Sequence, residues 1–437
     1  MSTTTATEDS GSARKLRETH RAVNAVWRIE SARLIAGLTR LVRDVGLAED
    51  LAQDALVAAL EQWPESGVPD NPGAWLMTTA KHRGIDRIRQ NERRVRRHEE
   101  MARDLSSRPS AYTSELELDL DEPIEDDLLR LIFMCCHPVV GPEARVALVL
   151  RVLGGLTTEE IARAYLVATP TIAQRIVRAK RTLTEQKVSF DLPGREELAD
   201  RLASVLEAIY LIFNEGYAAT AGADWTRPAL CEEALRLGRV LAELTPREAE
   251  VHGLVALMEL QASRLRARSG PGGEPILLLD QNRARWDQLL IRRGLVALDR
   301  AEALSESAGP YTLQAAIAAC HARARRPDDT DWPRIAALYY GLTQVASSPV
   351  VELNRAVAIG MAYGPAAGLA LVDQLVEEPA LRDYHLLPSV RGDLLAKLGR
   401  GDEARAEFAR AAAMTRNERE RALLLARVDG FDRGPTG

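Results

Sequence analysis

Apolar residues recur three and four apart along most of the chain, the period of a helix with one buried face. In LAEDLAQDALVAALEQW, Leu47, Leu51 and Ala55, joined by Leu56, Leu60 and Trp63, form one side. Asp50, Gln53, Asp54 and Glu61 line the other. Leu128, Leu131, Ile132 and Cys135 share a face further on, as do Ile172, Ile176, Ala179 and Leu183. Alternation of period two, the mark of a half-buried strand, does not recur. The pattern predicts an all-α protein.

Breaks in the periodicity divide the chain. Residues 1–18 are rich in Ser and Thr and predict a disordered tail. A helical block follows over 19–101, then a linker over 102–125 with Ser106, Ser107, Pro109, Ser110 and a run of acids. A second helical block covers 126–187, and Phe190–Asp191–Leu192–Pro193–Gly194 marks a boundary. From 195 to 428 helices alternate with short Gly/Pro breaks, the longest being Ser269 to Pro275. Near the end, Gly392, Ala404, Phe408 and Ala411 stand at tetratricopeptide-like offsets. Steps of about 34 residues back from them reach Ala358 and Ala370, then Ala336 and Tyr340. Gln374 matches Phe408 poorly, so the repeat is degenerate. This part reads as a stack of helix hairpins, an architecture that binds more often than it catalyses.

Composition agrees with helices: aromatic residues are only 5% of the 437, while 46% are hydrophobic. No apolar run approaches the roughly 18 residues of a membrane span, and the polar start resembles neither a secretory signal nor an anchor. Cys135, Cys136, Cys231 and Cys320 form no C-x-x-C pair. A zinc ribbon and a disulfide framework are therefore not expected, and a cytoplasmic location is. Net charge is −6, but its distribution says more. Lys81–Arg97 holds eight Lys/Arg against two acids, Ser110–Asp127 eight acids and no base, and Pro170–Lys187 five bases against one acid. Two basic blocks flank an acidic one.

The most specific segment is LTTEEIARAYLVATPTIAQRIVRAKRTL, Leu156 to Leu183. Thr157 and Glu160 have the spacing of a capping box, with Leu156 and Ile161 as its hydrophobic staple. A short first helix ends near Tyr165, and Thr169 then caps a second one, with Pro170 at its first position. Ile172, Ile176, Ala179 and Leu183 face inward, while Ala173, Gln174, Val177, Arg178 and Arg181 face out. That is a helix-turn-helix with a reader for the major groove. Gln suits adenine, Arg guanine and Val a thymine methyl, whereas Lys180 and Arg181 are placed for phosphates.

The first block supplies a second surface. After the loop PESGVPDNPGAW, which ends in Trp75, the helix LMTTAKHRGIDRIRQNERRVRR brings Lys81, Arg83, Arg87 and Arg89 near His82 and Asp86. Such a basic helix grips phosphates, and an aromatic at its start can receive an unstacked base.

Taken in order, DLAQDALVAALEQW, AWLMTTAKHRGIDRIRQNERR, the acidic linker and LTTEEIARAY…TIAQRIVRAKRTL resemble an extracytoplasmic-function sigma factor of bacterial RNA polymerase over about residues 20–187. The extension, with DWTRPALCEEALRLGRVLAEL and LLLDQNRARWDQLLIRRGL, resembles the group with a tetratricopeptide-like C-terminal domain. The resemblance implies a sigma-2 domain, the linker, a sigma-4 domain and a regulatory repeat domain. It implies that Asp50, Gln53 and Asp54 dock on the β′ clamp helices of core RNA polymerase. It puts Trp75, Lys81, His82, Asp86, Arg87 and Arg89 at the −10 element. It puts Thr171, Ala173, Gln174, Val177, Arg178 and Arg181 at the −35 element, in a domain that meets the β flap. The implied partners are core polymerase, promoter DNA and a small regulatory protein at the C-terminal domain, with no membrane, metal or cofactor.

Two other readings compete. A helix-turn-helix regulator with a repeat sensor domain would act without core polymerase. An enzyme could use Cys135–Cys136–His137–Pro138, but Cys135 falls on an apolar helix face and His137 before Pro138 reads as a helix end. G-x-x-x-x-G-K-[ST], H-E-x-x-H and G-x-S-x-G are all missing, and no catalytic residue is assigned. Asn214–Glu215–Gly216–Tyr217 and Gln281–Asn282–Arg283 read as a helix end and a packing or partner surface.

Overall fold

The computed structural model describes residues 5–84, 124–165, 167–218 and 226–432. Among them the regular structure is helical, apart from one isolated bridge between Ser269 and Pro275 that closes the longest break. The chain forms two compact units, 1–208 and 209–437.

In the first unit, α1 (Thr5–Val42) and α2 (Val45–Ser66) pack as an antiparallel pair. The helix α1 starts at Thr5, inside the segment 1–18, and residues 1–4 lie outside the described ones. Arg43, with φ of 57°, ends α1 in the left-handed region, and Asp44 caps α2 by accepting from the Leu47 N–H at 2.7 Å. Ile35 and Leu38 of α1 are buried, as are Leu51, Ala55 and Trp63 of α2. Leu47, Leu56 and Leu60 are only half-buried, so small alanines make more of this face than the sequence suggests. Helical backbone over 72–84 (α3) adds Leu76 and Ala80. Gly37 leaves no room for a Cβ against the Met77 methyl, 2.8 Å away, which lets α1 and α3 cross closely.

The linker lies outside the described residues except for Ile124 and Glu125, which open α4 (Ile124–Cys135). Then come α5 (Pro142–Val152), α6 (Thr158–Ala164) and α7 (Thr169–Glu185). Val146 through Leu150 are all buried, so α5 is the central rod of this block. Gly155, with φ of 65°, makes the turn into α6 and abuts Ser31 and Trp27 of α1. Arg40 of α1 pairs with Asp127 of α4 at 3.5 Å.

The helix α8 (Arg195–Tyr217) runs across the division between the units. The boundary therefore falls later than Phe190–Gly194. Arg201 donates to the Phe133 carbonyl at 3.1 Å, and Glu207 pairs with buried Arg145 at 2.8 Å. These contacts tie the first turns of α8 to the first unit.

The second unit continues with α9 (Pro228–Leu244), α10 (Ala249–Ala262), α11 (Gln288–Leu304), α12 (Pro310–Arg323), α13 (Trp332–Val345), α14 (Pro349–Tyr363), α15 (Pro365–Gln374), α16 (Leu386–Lys397), α17 (Gly401–Met414) and α18 (Glu418–Asp432). Neighbours pack as successive hairpins around three apolar clusters. Gly392 of α16 meets Phe408 and the Ala404 carbonyl of α17, as the repeat offsets predict. The preceding crossing is different: Gly368 of α15 meets Gly360 and the Ala356 carbonyl of α14. Ala358 and Ala336 are buried, as the 34-residue steps predict, but Ala370, Gln374 and Tyr340 are exposed, so the register extends back from Gly392 only in part. Among the described residues no helix is long and apolar enough to cross a membrane, and no group of acids, His and Cys is placed to hold a metal.

Candidate promoter and polymerase interface

The geometry of the helix-turn-helix follows from its caps. Thr157 accepts from the Glu160 N–H at 3.1 Å and Glu160 from the Thr157 N–H at 2.8 Å, the reciprocal pair that fixes the start of α6. The second cap differs from expectation. Ala168 is the residue before α7 and gives no side-chain bond, while Thr169 and Pro170 are already helical. Proline there needs no N–H, so the helix starts without a hydroxyl cap.

On α7, Ile172, Ile176, Ala179 and Leu183 are all buried. Gln174, Val177, Arg178 and Arg181 are exposed, Val177 at 63%, while Thr171 and Ala173 are half-buried at the rim. An apolar side chain left in water between a Gln and an Arg is a contact surface without its partner. Arg175 turns away to Glu143 at 2.5 Å, and Arg181 pairs with Glu185 at 2.6 Å.

The acidic stripe of α2 is brought close to this domain. Asp50 is exposed, whereas Gln53 and Asp54 are half-buried. Arg83 donates to the Asp54 carbonyl, and Gln53 donates to Glu49 at 2.6 Å. Glu49 itself, only 3% exposed, was not picked out by the sequence reading. Its carboxylate pairs with Arg151 of α5 at 2.6 Å and with Lys180 of α7. Burial would raise its pKa, but the Lys180 and Arg151 charges outweigh burial and hold it below the usual glutamate value. Asp44 also accepts from the Thr184 hydroxyl of α7 at 3.2 Å. The signal for Glu49 was its register: it shares the Val45–Ala48–Ala52–Ala55 side of α2, where a lone carboxylate needs a partner.

The basic helix α3 is only partly described. Asn71 caps it, accepting from the Ala74 N–H at 3.0 Å. Trp75 lies within its first turn rather than in the loop, and its half-buried ring packs edge-on to Trp63 at 5.4 Å. Lys81 is half-buried, and burial followed by the Arg40 charge lowers its pKa. His82 is exposed. Asp86, Arg87 and Arg89 lie outside the described residues.

Cys135 and Cys136 are buried. Burial pushes the Cys135 thiol well up and that of Cys136 up to about 12, so both stay protonated core groups at neutral pH.

Residues 29–94 match sigma-70 region 2, and residues 130–183 match sigma-70 region 4. Residues 201–302 match a family of unknown function, DUF6596. An ECF RNA polymerase sigma factor, SigK of Mycobacterium ulcerans, is 29% identical over 152 residues, 33% of this chain and 75% of the relative. A probable ECF RNA polymerase sigma factor, SigI of Mycobacterium tuberculosis, is 29% identical over 184 residues, 42% of this chain and 61% of the relative. An uncharacterised protein of Rhizobium meliloti is 42% identical over 396 residues, 90% of this chain and 92% of the relative.

The chain belongs to the ECF sigma factors of the sigma-70 family.

As a sigma factor it directs DNA-templated transcription initiation with core RNA polymerase at promoter DNA. A regulator acting without polymerase has no use for a region 2, so the match over 29–94 sets that reading aside. In sigma terms, α1 to α3 belong to region 2 and α4 to α7 to region 4. Glu49 is thus a region-2 residue held by two region-4 cations.

Proposed function

We propose that this ECF sigma factor docks on the β′ clamp helices through Asp50, Gln53 and Asp54. Trp75, Lys81 and His82, with Asp86, Arg87 and Arg89, meet and open the −10 element. Region 4 contacts the β flap and reads the −35 element with Thr171, Ala173, Gln174, Val177, Arg178 and Arg181. The helical extension modulates this activity, with a small regulatory protein as its partner, in the cytoplasm. The observation that carries the reading is the two-faced α7, with a buried Ile172/Ile176/Leu183 seam and an exposed Gln174/Val177/Arg178 edge.

Two elements named for positions 35 and 10 lie about 85 Å apart along B-DNA, at about 3.4 Å per base pair. Regions packed together through Glu49 cannot reach both. We therefore assign the Glu49 contact to the free protein and its opening to holoenzyme assembly. Run-off transcription with purified core polymerase tests the docking role. Asp50→Arg reverses an exposed charge and should weaken core binding and transcription, with folding stability changed by no more than about 0.5 kcal/mol. Full transcription by a folded Asp50→Arg protein would remove the stripe from the docking surface.

A further inference from the structure

Helix α5 is tied by ion pairs to three other parts of the chain. Glu143, in its first turn, meets Arg175 of the recognition helix α7 at 2.5 Å. Arg145 meets Glu207 of α8 at 2.8 Å. Arg151, in its last turn, meets Glu49 of region 2 at 2.6 Å. The DNA reader, the start of the extension and region 2 are thus each held by one helix of 11 residues.

These three contacts are not alike. Glu143 is 75% exposed, and a pair so open to water contributes little. The Arg145 side chain is only 6% exposed, and α8 supplies much of its surroundings. Its Nη1 donates to the Glu207 carboxylate at 2.8 Å and to the Ser204 carbonyl at 3.4 Å, and its Nη2 to the Val140 carbonyl at 3.1 Å. Among the described residues Glu207 is the one carboxylate that pairs with Arg145. A buried cation that loses its counter-charge is destabilised until it moves toward water. Glu207, by contrast, is 51% exposed, so water readily takes over its side of the pair. The contact is therefore easily released from the α8 side and costly to leave open on the α5 side.

Arg145 and Arg151 are six residues apart, about 9 Å along the helix and on different sides of it. Between them Val146, Ala147, Leu148, Val149 and Leu150 are all buried. A helix packed this closely moves as one piece, because dense interiors shift between discrete arrangements instead of stretching. A shift that carries Arg145 toward water also displaces Arg151 from Glu49.

We propose that α5 couples the extension to region 2. While α8 is docked on Arg145, Arg151 is held on Glu49 and region 4 stays on region 2; release of α8 favours the open form. The coupling rests on the assignment of the Glu49 contact to the free protein. Because coupling between two sites is reciprocal, opening by polymerase also loosens α8, and the extension senses holoenzyme assembly.

Energy transfer between a dye on α2 and one on α7 of the full chain measures closure. Glu207→Gln keeps the size of the side chain and lies on neither labelled helix. It should raise the ratio of open to closed protein about fivefold or more, the usual lower bound for coupled sites, with helical content unchanged by circular dichroism. In a Glu49→Gln background the same substitution should add little, since the contact it acts through is already lost. Should Glu207→Gln fail to fold, Glu207→Asp, one methylene shorter, takes its place, with a smaller fall in transfer expected. The coupling is overturned if the folded Glu207 variant keeps the transfer of the unaltered protein, or if its effect is as large in the Glu49→Gln background. A response to Glu49→Gln with none to the Glu207 variant removes the coupling alone. No response to Glu49→Gln removes the assignment of the Glu49 contact, and the coupling with it.

Discussion

Lys180, half-buried on α7, is ion-paired to Glu49, a buried carboxylate one residue before Asp50 of the acidic stripe. A cation suited to DNA phosphates is therefore engaged by the helix proposed to dock on polymerase. Arg151 completes the contact from the helix beneath. A pair like this is costly to break from one side, because the remaining charges stay at a dry interface. It makes the docking of region 4 on region 2 specific, and it is the contact proposed above to open on holoenzyme assembly.

Glu49→Gln should loosen that docking. Glutamine keeps the size of the side chain but cannot neutralise two cations. Removing one partner of a buried, hydrogen-bonded charge pair costs about 2–5 kcal/mol. The expected outcome is a fall in energy transfer between a dye on α2 and one on α7, with the helical content of both regions kept. The free protein should also bind −35 DNA more tightly, since Lys180 is released. Unchanged energy transfer and unchanged DNA affinity would show that Glu49 does not hold the two regions together.

Acid should act through the same carboxylate. Glu49 has a folded-state pKa below its unfolded value. Its contribution is therefore complete above the unfolded value of about 4.3 and is lost as pH falls through the lower, folded one. The energy-transfer signal should be flat from pH 8 to about 5 and then drop. In Glu49→Gln that drop should be absent or much smaller. A drop of equal size in the variant would assign the acid transition to other groups.

The recognition helix should separate specificity from affinity. Arg178→Ala removes a side chain able to make a bidentate contact to guanine, worth about 1–3 kcal/mol at one base position. Gln174→Ala should relax a neighbouring position in the same way. Arg181→Ala should weaken all promoters alike and reduce the salt dependence. Lys180→Ala differs from all three, since it also frees Glu49. Cutting Ile172 or Ile176 to Ala should instead unfold the domain, at about 2–5 kcal/mol each. Transcription from randomised −35 sequences by each holoenzyme distinguishes these effects. An unchanged base preference in Arg178→Ala and Gln174→Ala, with holoenzyme still forming, would deny α7 the reading role.

Much of this arrangement is legible in the sequence because helical periodicity is a local property. Ile172, Ile176, Ala179 and Leu183 could be assigned inward from spacing alone, and Thr157 with Glu160 from cap chemistry. Contacts between distant segments were not legible. Glu49 reads as one more acid in an acidic stripe until Arg151 and Lys180 are folded against it. Trp75 reads as a loop aromatic until Trp63 meets it. The repeat register holds only in part, with Ala358 and Ala336 buried, because any small residue can serve a helix crossing. Gly360 and Gly368 make the contact that the spacing gave to Ala358 and Ala370.

The position of the unit boundary gives the last prediction. The Pro/Gly stretch around Pro193 invites truncation there, but Arg201 and Glu207 of α8 bond to Phe133 and Arg145 of the first unit. Leu202, Val205 and Leu206 of the same helix are buried. Each such side chain loses about 1.5–3 kcal/mol of burial when exposed or removed. A chain ending at Pro193 should therefore be less stable than one ending at Ala208 by at least about 3 kcal/mol, and should expose apolar surface where α8 lay. Thermal melting and dye binding on the two fragments measure this. If the shorter fragment melts at the same temperature, Phe190–Gly194 is a true linker and the α8 contacts contribute nothing. With the expected loss of stability in the shorter fragment, only the longer one makes a fair comparison with the full chain in transcription. A clear difference in run-off yield between them is expected from a regulatory extension, and equal yields in vitro and in cells would leave the extension without that role.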